Sequence, residues 1–210
     1  MSRFDSLIFD MDGTLWDAVD SYCEVWNHTI DKFGTAMPKV TRERLAPLMG
    51  KHLDEIYTRL GGPAEGYDKF MIALGEAERN MMPRLGGRLY DGVRETLEEL
   101  AASGIRLFMV SNCEKNGLPN FLRFTGMEHL FVDTRSFGQT NLGKDKNIAA
   151  LVDEYHLERP LYIGDVAGDC TASHNAGVPF AWARYGFGDT VPEADYELNA
   201  FTELPKLCVK

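Results

Sequence analysis

Hydrophobic and polar positions along the chain follow two different periods. Leu7-Ile8-Phe9 is a short apolar run bounded by Asp5 and Asp10, which reads as a buried strand. From Val19 onward, apolar residues recur at steps of three and four. Val19, Tyr22, Cys23, Trp26, Ile30 and Phe33 share one face of a helix, and Gly34 closes the run. Two shorter helical pieces are predicted over 41–49 and 52–60. Gly61-Gly62-Pro63 separates them from a fourth helix with Phe70, Ala73, Leu74, Ala77 and Met81 on one face. The expectation is a long helical block without a strand.

The pattern then changes. Gly86-Gly87 reads as a hinge. Asp91 is expected to cap a helix carrying Val93, Leu97, Leu100 and Ala101, which Gly104 terminates. Strands are predicted at 105–110, 130–132, 161–163 and 178–183. Ile148, Leu151, Val152 and Tyr155 mark one intervening helix, and 169–176 another. Strands alternating with helices predict a parallel sheet. The fold class is therefore α/β: a Rossmann-like parallel-sheet core with helices on both faces, plus an inserted all-helical cap domain. The core is expected at 1–15 and 85–210, and the cap at 16–84.

A length of 210 residues fits one domain with a sizeable insertion. The formal net charge of −10 leaves no bulk basic field, which argues against nucleic acid and anionic membrane as partners. Four scattered cysteines without a CxxC read as reduced thiols. No signal peptide is visible, and the apolar runs fall far short of a membrane span. The expectation is a cytoplasmic monomer or homodimer.

In an open parallel sheet, ligands bind beyond the carboxyl ends of the strands. Asp10 and Asp12 follow the first strand, and Ser111-Asn112 end the second. Asp165 ends the fourth, with Asp169 four residues on, and Lys144 opens the helix leading to that strand. Four carboxylates gathered at one edge cannot stay ionised without a cation. Oxygen donors of this kind suit Mg²⁺. Lys144, the Ser111 hydroxyl and free backbone N–H groups would complete a clamp for a phosphoryl group. One carboxylate can attack phosphorus, and another two residues away can move the proton.

Asp10-Met11-Asp12-Gly13-Thr14 resembles the DxDGT signature of the haloacid dehalogenase-like hydrolase superfamily. Val110-Ser111-Asn112 resembles its second motif, and Ile163-Gly164-Asp165 with Asp169 its fourth. The likeness spans the chain and is strongest to the phosphoglycolate-phosphatase-like branch, whose helical cap lies between motifs one and two. Leu89-Tyr90-Asp91-Gly92-Val93 resembles that branch's re-entry into the core. The resemblance implies a Mg²⁺-dependent phosphatase acting on a small phosphorylated metabolite through an aspartyl-phosphate. It makes Asp10 nucleophile and metal ligand. Asp12 becomes the general acid/base, with its backbone carbonyl on the metal. Ser111 and the Asn112 backbone bind phosphate, and Thr14 supports the motif-one loop. Asp165 is a metal ligand, and Asp169 a ligand or the anchor behind one. The third motif departs from the usual pattern, since Gly143-Lys144-Asp145-Lys146 offers two lysines; Lys144 is preferred. Asp17-Ala18 replaces a common Asp-Ser, which weakens phosphoglycolate itself as the substrate. In the cap, Gly50-Lys51-His52 is expected to face the core, so that Lys51, with Arg44 and His52, touches the remote part of the substrate.

Rival readings leave less explained. A sugar-phosphate mutase shares the core motifs. A phospho-acceptor signalling domain is shorter and lacks the insertion. Gly138 to Lys144 fits GxxxxGK, but Asp145 stands where a P-loop needs Ser or Thr. Cys170 and His174 share a helix face but lack a third ligand, and are read as packing.

Overall fold

The computed structural model describes residues 3–208; the outermost residues of the expected core, 1–2 and 209–210, lie outside the described residues. The chain begins with β1 (Ser6–Phe9) and a two-residue β2 (Trp16–Asp17). Four helices follow: α1 (Val19–Phe33), α2 (Arg42–Leu45), α3 (Leu53–Arg59) and α4 (Tyr67–Leu85). The chain returns through β3 (Arg88–Leu89), α5 (Val93–Ala102), β4 (Arg106–Ser111), α6 (Gly117–Thr125) and β5 (Phe131–Ser136). It continues with α7 (Phe137–Thr140), α8 (Lys144–Glu154), β6 (Pro160–Gly164) and α9 (Ala167–Asn175). It ends in β7 (Phe180–Ala183), β8 (Tyr196–Leu198) and α10 (Leu204–Cys208).

Six strands form one sheet in the order β5-β4-β1-β6-β7-β8, and every pairing is parallel. Phe9 of β1 lies opposite Met109 of β4 on one side and Ile163 of β6 on the other. Side chains alternate between the two faces, as the two-residue period of a strand requires. Leu7, Phe9, Leu107, Met109, Leu161 and Ile163 enter one core. Ile8, Phe108, Val110 and Tyr162 enter the other, under α8 and α9. Both faces are covered, so the strands read as continuous apolar runs. The α/β fold with an inserted helical cap is thus the observed one.

The inserted helices pack on each other. Trp26 of α1, Tyr57 of α3 and Phe70 of α4 form an aromatic cluster with ring centroids 5.2–6.4 Å apart. The same residues belong to the main apolar core, so the insertion is not a detached body.

Three expectations need correction. The block beginning at residue 16 is not purely helical, because Trp16 and Asp17 pair antiparallel with Leu89 and Arg88. Two-residue strands carry no period, and their partners lie on the far side of the insertion. Asp91 is exposed and does not cap α5; Gly92, at φ +74°, takes that position. The strands predicted from apolar runs stop at 178–183, and the sheet has one more. A short β8 follows, half polar in sequence and reached through a long loop, which hid it from an apolar-run criterion.

Candidate active site

The strand order makes Asp10, Ser111 and Asp165 neighbours at the carboxyl edge, since they follow or end three adjacent strands. The Asp10 amide continues the ladder onto Ile163 O at 2.9 Å. Lys144, in the first turn of α8, reaches 2.8 Å from Asp10 Oδ1 and 2.6 Å from Asp169 Oδ1. Asp10, Asp165 and Asp169 are each 1% exposed and Lys144 5%. Lys146 is exposed and pairs with its neighbour Asp145 at 3.7 Å, so only Lys144 is brought to the site.

Asp169 has both oxygens engaged. Oδ1 holds Lys144, and Oδ2 accepts the amides of Asp165 at 3.1 Å and Val166 at 3.3 Å, opening α9. Asp165 Oδ2 accepts the Phe187 amide at 2.7 Å, while Asp165 Oδ1 is buried with no hydrogen-bond partner. Ligand oxygens of Asp10, Asp165 and Asp169 lie within 4.8 Å of one another. Gly13, at φ +83°, lets the motif-one loop pass against Asp165. A Cβ there would run into the Asp165 carboxylate and the Phe187 ring, so no other residue fits.

Four buried carboxylates, Asp10, Asp12, Asp165 and Asp169, face one ammonium, which bonds only Asp10 and Asp169. Burial pushes Asp10 up to about 6, against the pull of Lys144 and with repulsion from Asp169. Burial also raises Asp12 and Asp165 well above the usual carboxylate range, helped for both by Asp10 and for Asp165 first by Asp169. Burial would neutralise Lys144, but Asp10 and Asp169 hold it charged.

Asp12 is tied in another direction. The Trp16 indole donates to Asp12 Oδ1 at 2.9 Å, which fixes the carboxyl toward the cleft floor. Sequence reading missed Trp16. No residue pattern marks this contact, because Trp16 is placed by its pairing with Leu89 on the far side of the insertion. Thr14 Oγ1 is buried without a partner, and its carbonyl accepts the Tyr185 hydroxyl at 3.0 Å. Ser111 Oγ accepts the Cys113 amide at 3.2 Å. The Asn112 side chain crosses to the insertion and donates to Gly50 O at 2.9 Å.

A cleft of about 780 Å³, counted with its open mouth, lies above these groups. Its floor is Asp10, Asp12 and Ser111, and its roof includes Trp26, Met49, Ile56 and Met82 from the insertion. Lys51 is in its wall, with Nζ 3.0 Å from Glu55. The other two expected cap contacts are placed elsewhere. Arg44 spends its guanidinium on the carbonyls of Lys39 at 2.7 Å and Leu60 at 2.6 Å. His52 sets its ring against Phe137 at 4.5 Å, in an adjoining groove. Glu78 of α4, which sequence reading did not single out, lines both spaces.

Two other sequence features resolve as structure. Gly138 sits inside α7, so GxxxxGK forms no phosphate loop after a strand. Cys170 and His174 do have an acid nearby. His174 Nδ1 faces Cys170 Sγ at 3.8 Å, and Nε2 faces Asp195 at 2.9 Å. These are opposite edges of one ring, so the three cannot share an ion.

Fold and site together define a hydrolase built on a parallel sheet with an acidic, lysine-bridged centre. A family model described as haloacid dehalogenase-like hydrolase matches residues 7–183, and the chain belongs to that family. A phosphoglycolate phosphatase of Aliivibrio fischeri is 28% identical over 210 residues, covering 94% of this chain and 91% of the relative. One of Agrobacterium fabrum is also 28% identical, covering 90% and 84%. The crystal structure of a protein described as a predicted phosphoglycolate phosphatase, from Haemophilus somnus, superposes with a TM-score of 0.86. It shares 24% identity, and 99% of each chain is covered. Membership of that family makes the chain a hydrolase. Among the described residues, no helix is long and apolar enough to cross a membrane.

Proposed function

We propose that this chain is a Mg²⁺-dependent phosphatase that passes the phosphoryl group of a small phosphomonoester first to Asp10 and then to water. The carrying observation is the charge deficit: Lys144 is shared by Asp10 and Asp169, while Asp165 Oδ1 is buried and unpartnered. A hard divalent cation with oxygen ligands fits that vacancy of charge. Asp10 and Asp165 would hold it, with the Asp12 backbone carbonyl as the family resemblance implies. Asp169, its oxygens already occupied, serves as the anchor of Lys144 in place of a ligand. When bound, the cation supplies neutralisation of the phosphoryl oxygens.

The chain's own groups then do the following. An Asp10 oxygen forms a bond to phosphorus while the bond to the leaving alcohol breaks. Asp12, kept protonated by burial, gives its proton to the leaving oxygen. In the second half it takes a proton from water, which attacks phosphorus, frees inorganic phosphate and restores Asp10. Ser111 Oγ and the Asn112 amide hold the phosphoryl oxygens, and Lys144 orients Asp10. Residues 16–84 act as the cap over a core of 1–15 and 85–210, with the β2–β3 pair where the chain crosses between them. The reading supposes a cytoplasmic enzyme working as a monomer or homodimer. Phosphoglycolate and sugar phosphates are the esters of the expected type.

The test is Asp10→Asn, which removes the attacking oxygen and little volume. The variant is expected to keep its melting temperature and lose p-nitrophenyl phosphate turnover. Rapid-quench mass spectrometry of the parent should show one phosphoryl group on the peptide holding Asp10. Turnover at the parent rate in Asp10→Asn would overturn the assignment.

A further inference from the structure

Glu78 stands on α4, in the wall between the active-site cleft and the adjoining groove that contains Tyr67, Arg79, Lys115 and Phe137. Its carboxylate makes no hydrogen bond and no ion pair among the described residues. Around it the cap wall is apolar, with Trp26, Met49, Ile56 and Met82. A carboxylate in such a wall costs desolvation without return unless a donor reaches it. Burial and the nearby Glu114 push Glu78 up to about 7, against the pull of Arg79. The lining gives a substrate carboxylate little to hold. Lys51 is the one cation among the described cleft-lining residues, and it is engaged by Glu55, which Arg59 also shares. Glu78 and Glu114 present negative charge at the same end.

We propose that Glu78 selects the leaving group, accepting a hydrogen bond from a hydroxyl or ammonium on a short carbon skeleton and disfavouring leaving groups that carry a carboxylate. The substrate class is therefore a phosphorylated polyol or amino alcohol. This inference rests on the phosphatase reading above and departs from the substrate in the relatives' names. The apolar wall covers the carbon skeleton, and Glu78 reads its polar end. Above about pH 7, where Glu78 is ionised beside Glu114, a carboxylate in the same place meets like charge in a partly desolvated cleft, which is strongly unfavourable.

The test compares kcat/KM for glycerol 3-phosphate, phosphoethanolamine, phosphoglycolate and p-nitrophenyl phosphate, for the parent and for Glu78→Gln, with Mg²⁺. The parent is expected to favour glycerol 3-phosphate or phosphoethanolamine over phosphoglycolate by about tenfold or more, as unpaired or like-charged polar groups in a built site discriminate strongly. Glu78→Gln should narrow that ratio by raising phosphoglycolate and lowering phosphoethanolamine, and should change both by more than it changes p-nitrophenyl phosphate. A parent that prefers phosphoglycolate overturns the inference without any variant. So does an equal effect of Glu78→Gln on all four esters. Absence of turnover on p-nitrophenyl phosphate as well would overturn the phosphatase reading, and this inference with it.

Discussion

The indole N–H of Trp16 donates to Asp12 Oδ1 at 2.9 Å, linking the β2–β3 crossing to the carboxyl proposed to move the proton. Trp16 is fully buried, with its ring edge-on to Phe121 at 5.0 Å. Hydrogen bonding to the ionised carboxylate lowers the pKa of Asp12, against burial and Asp10, which raise it. Trp16 is thus a positioning residue. Trp16→Phe keeps the ring and removes the donor. It should lower kcat about tenfold, less than the ~10²–10⁴-fold of general acid–base catalysis as a whole, because the acid itself remains. Because a bond to the charged form is lost, the Asp12 pKa rises. The alkaline limb of kcat/KM, where the acid must stay protonated, should move to higher pH. An unmoved limb would mean that Trp16 only packs.

The two lysines of the third motif give a sharp comparison. Lys144 is buried between two carboxylates, and Lys146 is exposed on the outer turn of α8. Lys144→Met should cost about 10²–10³-fold in kcat, the scale for losing a preorganised charge at a developing anion. It also leaves Asp10 and Asp169 facing each other, so its melting temperature without metal should fall. Lys146→Met should change neither quantity measurably, as expected for a surface charge. Phosphatase assays and melting curves on both variants check this together.

Much of this was legible in the sequence, for stated physical reasons. Asp10, Ser111, Asp165 and Lys144 stand at ends of elements whose apolar runs are clear, and parallel topology gathers such ends at one edge. Trp16 and Glu78 were not legible. Trp16 lies in a two-residue strand that exists only through Leu89, far along the chain. Glu78 looks like any polar position on an amphipathic helix until the packing of α1 on α4 turns it toward the cleft. The departure of Arg44 has the same origin. Its partners are backbone carbonyls of Lys39 and Leu60, which no residue pattern announces. β8 was hidden because only Leu198 of its three residues is buried.

Metal and pH should act on stability with opposite signs. Burial raises Asp10 to about 6, and it also raises Asp12 and Asp165 above the usual carboxylate range. Without metal, the folded state therefore binds more protons than the unfolded chain above the ordinary carboxylate pKa of ~4. Its stability should fall as pH rises through the folded-state values. A divalent cation needs these groups ionised, so its stabilisation is full above those values and fades as pH falls through them. At Mg²⁺ about 100-fold above its dissociation constant, the gain is ~2.7 kcal/mol. For a chain of this size that is about 5–10 °C in melting temperature. The difference between Mg²⁺ and EDTA melting curves should be near that at pH 7.5 and less than half of it at pH 5. A difference independent of pH would place the ion away from these acids.

Asn112 and Gly50 provide the last prediction, because their contact crosses from sheet edge to cap. Asn112 Nδ2 donates to Gly50 O at 2.9 Å, so the residue whose amide is proposed to hold the phosphate also holds the cap loop. Gly50 sits at φ +81°, and a Cβ added there would meet the Val166 side chain at 3.1 Å. Alanine at 50 is therefore strained in the backbone and pressed against the loop that carries Asp165. Asn112→Ala loses the same contact from the other side while leaving the backbone amide in place. Each change should lower kcat/KM about tenfold, since a small misplacement of groups that close over a substrate is costly. Their effects should not add. Asn112→Ala removes the donor and alanine at 50 shifts the carbonyl that accepts, so either change breaks the one contact, and the double variant should fall short of the product of the singles by several-fold. Melting temperatures of the singles should stay within a few degrees of the parent, because the contact lies at the cleft rather than in either core. Fully multiplicative losses would mean that the two residues act separately and that the bond does not hold the cap loop over the site.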